Sequence, residues 1–244
     1  MSVYLYGNNG RIGRVLLSYL NATDISIEEN ACNADIIVLA TPYDSVEELL
    51  SRHPEQSILD MSGYCKRHHI GSYGLNTWPV SSRIVQNIGC FASSVIIPLQ
   101  QAGIVHQLSK DVQIHCTGGG TTVSRKENSV MRLARRLWDH PHQEEIERVF
   151  PSLSISHFIV NVNTQYAHGI WTCISGFSTA PLQEQGGDIN GVKVLGSPSV
   201  HWNVRTHQCH FVLCSALDNL HYPAFHAISL LKNRLRILKG RLDV

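Results

Sequence analysis

A glycine-punctuated turn near the start of the chain restricts the fold more than any other feature. Val3-Tyr4-Leu5-Tyr6 is a short apolar strand, and Gly7-Asn8-Asn9-Gly10-Arg11-Ile12-Gly13 follows it directly. Ile12, Val15, Leu16, Tyr19 and Leu20 then recur at helical spacing. Strand, G-x-x-G-x-x-G and amphipathic helix, in that order, fit a βαβ unit. Its glycines let backbone N–H groups approach a pyrophosphate at the helix start. The same glycines also fit a tight turn that only packs helix against sheet. Read as a dinucleotide site, the loop offers Gly7, Asn9, Gly10, Arg11, Ile12 and Gly13.

The next segments extend that unit. Ile25-Ser26-Ile27 reads as a second strand ending in Glu28-Glu29-Asn30. An acid about 20 residues after the first glycine meets the ribose in such units; a solvated loop acid is the other reading. Asp35 to Pro42 is a buried parallel strand by composition, Ser45 to Leu50 is helical, and Ser57 to Gly63 is a strand running into a loop. This alternation predicts a right-handed parallel sheet. Tyr64 to Ser82, rich in Gly, His and Tyr, reads as loop.

Ile84 to Ser94 then repeats the strand, turn and helix pattern around one thiol. The β-branched run ends in Asn87-Ile88-Gly89, and Cys90 opens the helix. Free N–H groups and the dipole at a helix start favour thiolate over thiol. A buried structural cysteine is the competing reading. Pro98 predicts a kink or an early end to this helix.

The second half changes character. Asp111 to Cys116 alternates, which predicts a second sheet with one solvated face. Thr117 to Thr122 reads as a flexible loop, and Ser124 to Trp138 as a basic amphipathic helix. His157 to Val162, Gly169 to Ser178 and Gln208 to Cys214 read as strands, Leu182 to Ser199 as a glycine-rich connection, and Leu220 to Leu238 as a closing helix. His140 and His142 stand one residue apart before acids, and no third ligand has metal spacing, so the reading is no metal.

Composition narrows the partners. Of 244 residues 43% are hydrophobic and 16% charged, which supports a sizeable core. A net charge of +1 gives no footprint for nucleic acid or an anionic membrane. No apolar run reaches spanning length, and the opening strand leaves no space for a leader. Seven scattered cysteines read as reduced thiols in a cytoplasmic protein. Most of the fourteen histidines fit surface or hydrogen-bonded roles.

Taken in order, these segments resemble N-acetyl-γ-glutamyl-phosphate reductase, within the semialdehyde dehydrogenase superfamily. Gly7 to Gly13 is similar to the family's nucleotide loop and Leu39-Ala40-Thr41-Pro42 to its A-L-P strand end. Asp60-Met61-Ser62 is similar to D-L-S, and Tyr73-Gly74-Leu75 to Y-G-L. Asn87-Ile88-Gly89-Cys90-Phe91 resembles N-P-G-C-Y, which holds the nucleophile. Gly118 to Lys126 resembles S-G-A-G-R-K with a gap, His140 to Ile146 resembles H-R-H-T-P-E-I, and Ser215 to Leu220 resembles S-A-I-D-N-L.

The resemblance implies an α/β chain. A Rossmann-type parallel-sheet domain is expected over residues 1–89 and 216–244, and an α+β substrate and dimerisation domain with a mixed sheet over 90–215, with Cys90 at the crossing. It implies NAD(P)H-dependent reductive dephosphorylation of an acyl phosphate, N-acetyl-γ-glutamyl phosphate or a related amino-acid derivative, in arginine or related amino-acid biosynthesis. Cys90 is then the acyl-accepting nucleophile, His142 or His140 the proton carrier, and Glu145 its orienting acid. Thr41, Pro42 and Asn219 join the glycine loop around the cofactor, NADP before NAD. Asn87, Ser62, Lys66, Arg67 and His168 face substrate. A homodimer or tetramer is expected by analogy.

The departures fall on the ligands. The stretch from Leu20 to Asp35, where these enzymes grip the adenosine end, is short. Arg11 and Arg14 suit a 2′-phosphate whereas Glu28 and Glu29 repel one. His168 replaces an arginine expected to hold a substrate anion, and His221 and Tyr222 replace a lysine and a glycine. A larger or carrier-protein-bound acyl phosphate is therefore an alternative substrate. A nucleotide-binding or redox module without turnover is the alternative from another class.

Overall fold

The computed structural model describes residues 2–109, 111–119, 141–163, 168–187, 189 and 196–240. The chain divides into two compact units, Met1–Ile88 with Pro223–Val244, and Gly89–Tyr222. The expected combination of an all-parallel sheet and a mixed sheet is what it forms.

The first unit holds β1 (Ser2–Tyr6), α1 (Arg11–Asn21), β2 (Ser26–Ile27), β3 (Ile36–Leu39), α2 (Val46–Arg52), β4 (Ser57–Asp60), α3 (Tyr64–Arg67), β5 (Ser72–Gly74) and β6 (Ile84–Asn87). Its strand order is β2-β1-β3-β4-β6-β5, with every neighbouring pair parallel. Strands β3, β4 and β6 are buried along their whole length, as a sheet covered on both faces requires. Because β2 and β3 flank β1 on opposite sides, the strand order reverses there, and the glycine loop leaves β1 at the switch point.

The last helix, α6 (His221–Leu238), returns to this unit. Ala224, Ala227, Leu230, Leu231 and Leu235 join Val3, Leu5, Leu16 and Leu20 in one core cluster. Each fully buried leucine contributes about 1.5–3 kcal/mol. Asn233 Oδ1 accepts the main-chain N–H of Trp78 at 2.8 Å, and the Arg234 guanidinium lies 5.4 Å above the Trp78 ring.

Residues 64–82 are not all loop. α3 is one turn whose start is capped by Ser62 Oγ, which accepts the Tyr64 N–H at 3.0 Å. β5 adds an outer strand beside β6. Three residues including a glycine are too few to show alternation, so pairing with β6 rather than local pattern makes this a strand.

The second unit holds α4 (Cys90–Ala102), β7 (Val112–Gly119), α5 (Pro141–Val149), β8 (Ile155–Asn163), β9 (Ile170–Phe177), β10 (Gln185–Gly186), β11 (Val200–His207) and β12 (His210–Leu217). The order is β10-β11-β12-β9-β7-β8, antiparallel except for β7 with β8. Along β7, Val112, Ile114 and Cys116 are buried while Gln113 and His115 are exposed. The alternation expected from the sequence is thus one buried and one open face. Residues 216–222 also belong to this unit, because β12 stays paired with β9 and β11 to Leu217.

Three local expectations change. Thr117 to Gly119 continue β7 instead of opening a loop, since their pairing with β8 and β9 outweighs glycine's weak strand preference. A Cβ on Gly119 would lie 2.8 Å from His168 Cα, so the close backbone approach explains the glycine. Gln208 and Cys209 form the β11–β12 hairpin turn, with Gln208 at φ 55°, and β12 starts at His210. Pro98 neither ends nor shortens α4, which runs on to Ala102. The expected helix over 124–138 lies outside the described residues, as does the Gly118 to Lys126 run after Gly119. No helix among the described residues is long and apolar enough to cross a membrane.

Candidate active site

Cys90 is the first residue of α4, and Gly89 is its N-cap in an extended conformation. No residue at this helix start caps it with its own side chain. The cap comes from α5 instead: Glu145 Oε2 accepts the Gly89 N–H at 3.0 Å. Glu145 is 4% exposed, so this carboxylate is placed rather than solvated. Its Oε1 lies 3.8 Å from His142 Nε2, one turn earlier on α5.

The His142 ring packs against the backbone just before Cys90. A Cβ on Gly89 would sit 2.2 Å from His142 Nε2, so only glycine leaves space for the imidazole. Phe91 meets the ring edge to face, with centroids 5.6 Å apart at 79°. A thiol, an imidazole and a carboxylate are therefore gathered at one helix start. Such a set can form a thiolate, move a proton, and offer N–H donors to a developing oxyanion. His140 lies outside the described residues.

α4 is held in place from below by polar groups on the sheet. In a helix, Pro98 has no N–H to give the Ser94 carbonyl. Ser215 Oγ donates to that carbonyl at 2.5 Å, which replaces the missing bond. Thr172 Oγ1 meets Ser94 Oγ at 2.6 Å and donates to Cys116 Sγ at 3.3 Å. Burial pushes the Cys116 thiol up to about 12, so it is inert. Sequence reasoning missed Ser94, Thr172 and Ser215. A proline inside a buried helix is the signal that a donor must exist elsewhere.

A second histidine–carboxylate contact lies in the same unit. His168 Nε2 is 3.2 Å from Asp218 Oδ2. Asp218 also accepts the N–H groups of Gly196 at 2.6 Å, Leu220 at 2.8 Å and His221 at 3.0 Å. Burial acts to raise its pKa. The N–H groups of His221, Gly196 and Leu220 with the His168 imidazole outweigh that and hold the carboxyl below its ordinary range. Beside it, Asn219 Oδ1 accepts the Gly169 N–H at 2.7 Å, and the Gly169 carbonyl accepts the Gly119 N–H. Asp218 was also missed as the partner of His168.

The nucleotide candidates other than Asn219 lie in the first unit. Gly7 turns at φ +83°, and a Cβ there would meet the Ala40 carbonyl oxygen at 2.3 Å. A Cβ on Gly13 would sit 2.0 Å from the Gly7 carbonyl oxygen, so α1 closes directly onto the turn. Gly10 is the α1 N-cap and has no side chain to occupy the N–H groups of Arg11, Ile12 and Gly13. Thr41 borders Gly7, and its Oγ1 is buried without a hydrogen-bond partner. An unpartnered buried hydroxyl beside an uncapped, glycine-lined helix start fits a phosphate-bearing ligand. Pro42 turns the chain away after it. Glu28 lies one residue past β2 and donates its N–H to the Val3 carbonyl, at the carboxyl end of the strand beside β1.

The remaining substrate candidates are also in the first unit. Ser62 donates to Asp60 Oδ1, and Asp60 is wholly buried. Asn87 Nδ2 donates to the Pro223 carbonyl at 3.1 Å while its Oδ1 meets His226 Nδ1 at 2.7 Å. Lys66 and Arg67 stand on α3, with the Arg67 guanidinium 5.7 Å above the Tyr43 ring.

Solved structures with a similar fold include aspartate-semialdehyde dehydrogenases. Aspartate semialdehyde dehydrogenase II from Vibrio cholerae superposes with a TM-score of 0.70 at 10% identity, over 96% of this chain and 98% of that one. The same enzyme complexed with ASA gives 0.62 at 11%, over 96% and 98%. A probable aspartate-semialdehyde dehydrogenase from Pseudomonas aeruginosa gives 0.71 at 11%, over 97% and 98%. No family sequence model and no curated protein sequence matches the chain.

Proposed function

We propose that this chain is a nicotinamide-dependent reductase that converts an acyl phosphate to its aldehyde through a thioester on Cys90. The observation that carries the reading is the α4 start, where Glu145 holds the Gly89 N–H and the His142 ring packs against Gly89. The fold shared with the semialdehyde dehydrogenases supports the same class of reaction.

The steps assigned to the chain are few. The Cys90 thiolate attacks the acyl carbon, the C–O bond to phosphate breaks, and inorganic phosphate leaves. Bound nicotinamide supplies the hydride that brings the thioester to the aldehyde oxidation level. His142 gives its proton to the oxygen as the hydride arrives and takes it back as the C–S bond breaks, so the aldehyde leaves and Cys90 is regenerated as thiolate. His140 is the alternative carrier. Glu145 orients His142, and N–H groups at the α4 start hold the oxyanion.

Gly7, Asn9, Gly10, Arg11, Ile12, Gly13, Thr41 and Pro42 are assigned to the dinucleotide, and Asn219 to its nicotinamide end. NADP is favoured over NAD by the resemblance. Among the substrate candidates His168 belongs to the same unit as Cys90 and is assigned to an anionic group of the acyl moiety. N-acetyl-γ-glutamyl phosphate is the first substrate to try, with aspartate semialdehyde among the aldehydes for the reverse direction. The larger or carrier-bound acyl phosphate stays as a second reading, because an imidazole held by Asp218 replaces the expected arginine.

Cys90→Ser tests the mechanism. Phosphate-dependent oxidation of the aldehyde should vanish while nucleotide binding by calorimetry is unchanged. Full activity in that variant would overturn it.

A further inference from the structure

Cys173 and Cys214 lie directly opposite each other on β9 and β12. The hydrogen-bond parity of that pair of strands follows from one bond at its end. Ser178 N–H donates to the Cys209 carbonyl at 2.7 Å, which makes Ser178 with Cys209 a hydrogen-bonded position. Stepping along the antiparallel ladder, hydrogen-bonded and non-bonded positions alternate. Gly176 with Phe211, Ile174 with Leu213 and Thr172 with Ser215 are therefore bonded positions. Cys173 with Cys214 is a non-bonded one, where side chains approach most closely and Cα atoms are about 4.5 Å apart. That spacing lies inside the range a disulfide spans, about 4.4–6.8 Å.

Both side chains stand on the open face of the sheet. Along β9 the exposed positions are Trp171 and Phe177, with Cys173 half-buried between them. Cys214 is half-buried on the same face. We propose that Cys173 and Cys214 form a reversible dithiol–disulfide site, oxidised by low-molecular-weight disulfides such as oxidised glutathione and independent of the chemistry at Cys90.

The two sulfurs are already unequal. The hydrogen bond from Cys173 draws the Cys214 thiol down to about 7 against the effect of burial, and the same contact with burial pushes Cys173 up. The thiol that this contact favours as thiolate, Cys214, is the attacking group. Its thiolate attacks one sulfur of the small disulfide, that S–S bond breaks, and one small thiolate leaves. Cys173 gives up its proton, attacks the Cys214 sulfur, and expels the second small thiol. The protein loses two hydrogens and the oxidant gains them as two thiols.

The linkage would fall one residue from Thr172 and Ser215, the pair that holds Ser94 of α4 from the opposite face. The full chain is to be incubated with oxidised glutathione, blocked with N-ethylmaleimide, digested without reduction and mapped by mass spectrometry. The expected major product is a Cys173–Cys214 linked peptide that dithiothreitol returns to two free thiols. In Cys173→Ser the reaction should stop at a glutathione adduct on Cys214. Recovery of both thiols as maleimide adducts in the natural chain would overturn the proposal. So would a disulfide joining either cysteine to Cys90.

Discussion

Ser215 donates its hydroxyl to the main-chain carbonyl of Ser94, the group that Pro98 leaves without a donor inside α4. A helix with a proline in it is thereby fastened to a strand reached only much later in the chain. The fastening point is one turn from Cys90, so it fixes how the helix start is presented.

Ser215→Ala should therefore destabilise the chain by about 1–3 kcal/mol, the cost of a buried carbonyl left unpaired. Placed in a Pro98→Ala background, the same change should cost much less, because residue 98 then supplies the N–H. Urea unfolding of the four proteins in this cycle measures the coupling. Equal costs in both backgrounds would contradict the assigned role of the bond.

His142→Asn keeps a polar group beside Gly89 and removes the proton carrier. Turnover should fall by about 10²–10⁴-fold, the usual yield of acid–base catalysis. Acylation of Cys90 by an activated ester, read by mass, should persist. A variant with natural turnover would leave His140 as the carrier.

Thr41→Val should act in opposite directions on the free and the bound protein. Removing a buried, unpartnered hydroxyl should raise thermal stability, on the order of 1 kcal/mol. NADPH affinity should fall, since the hydroxyl is assigned to the nucleotide. Thermal scans with and without NADPH give both numbers, and unchanged affinity would remove Thr41 from the site.

Asp218 gives the acid limb a definite sign. Its folded pKa lies below the value in the unfolded chain, about 3.9 for an aspartate. Its contribution is complete above that unfolded value and is lost as pH falls through the folded one. Asp218→Asn should be less stable near neutrality and lose less on acidification below about pH 4. Urea midpoints measured down the pH scale decide this, and parallel curves would count against it.

What could be read from the sequence was whatever is local. The Gly7 turn, the buried run of β3 and the alternation of Val112, Ile114 and Cys116 each carry their own period. They became β1–α1, β3 and β7. The Cys90 position at a helix start was legible for the same reason. β5 was not, because pairing rather than pattern makes it a strand. The Ser215 to Ser94 bond and the Glu145 cap on Gly89 were equally hidden, since each joins residues far apart in the chain. Gly119 was misread as a loop glycine because its cause, the backbone of His168, is a distant neighbour.

The place of α6 in the first core has a consequence for synthesis. Leu230, Leu231 and Leu235 fill the cluster around Leu16 and Leu20, yet they are translated after both sheets. A nascent chain that has emerged through β6 exposes an apolar surface with its final cover still unmade. The inserted unit can complete its own sheet in that interval, whereas the first unit must wait for the last helix. On the ribosome, then, the order of maturation runs opposite to the order of residues: the middle of the chain settles before its beginning. A nascent chain stalled before α6 is the form in which chaperone binding to the exposed β1 and α1 surface should be greatest.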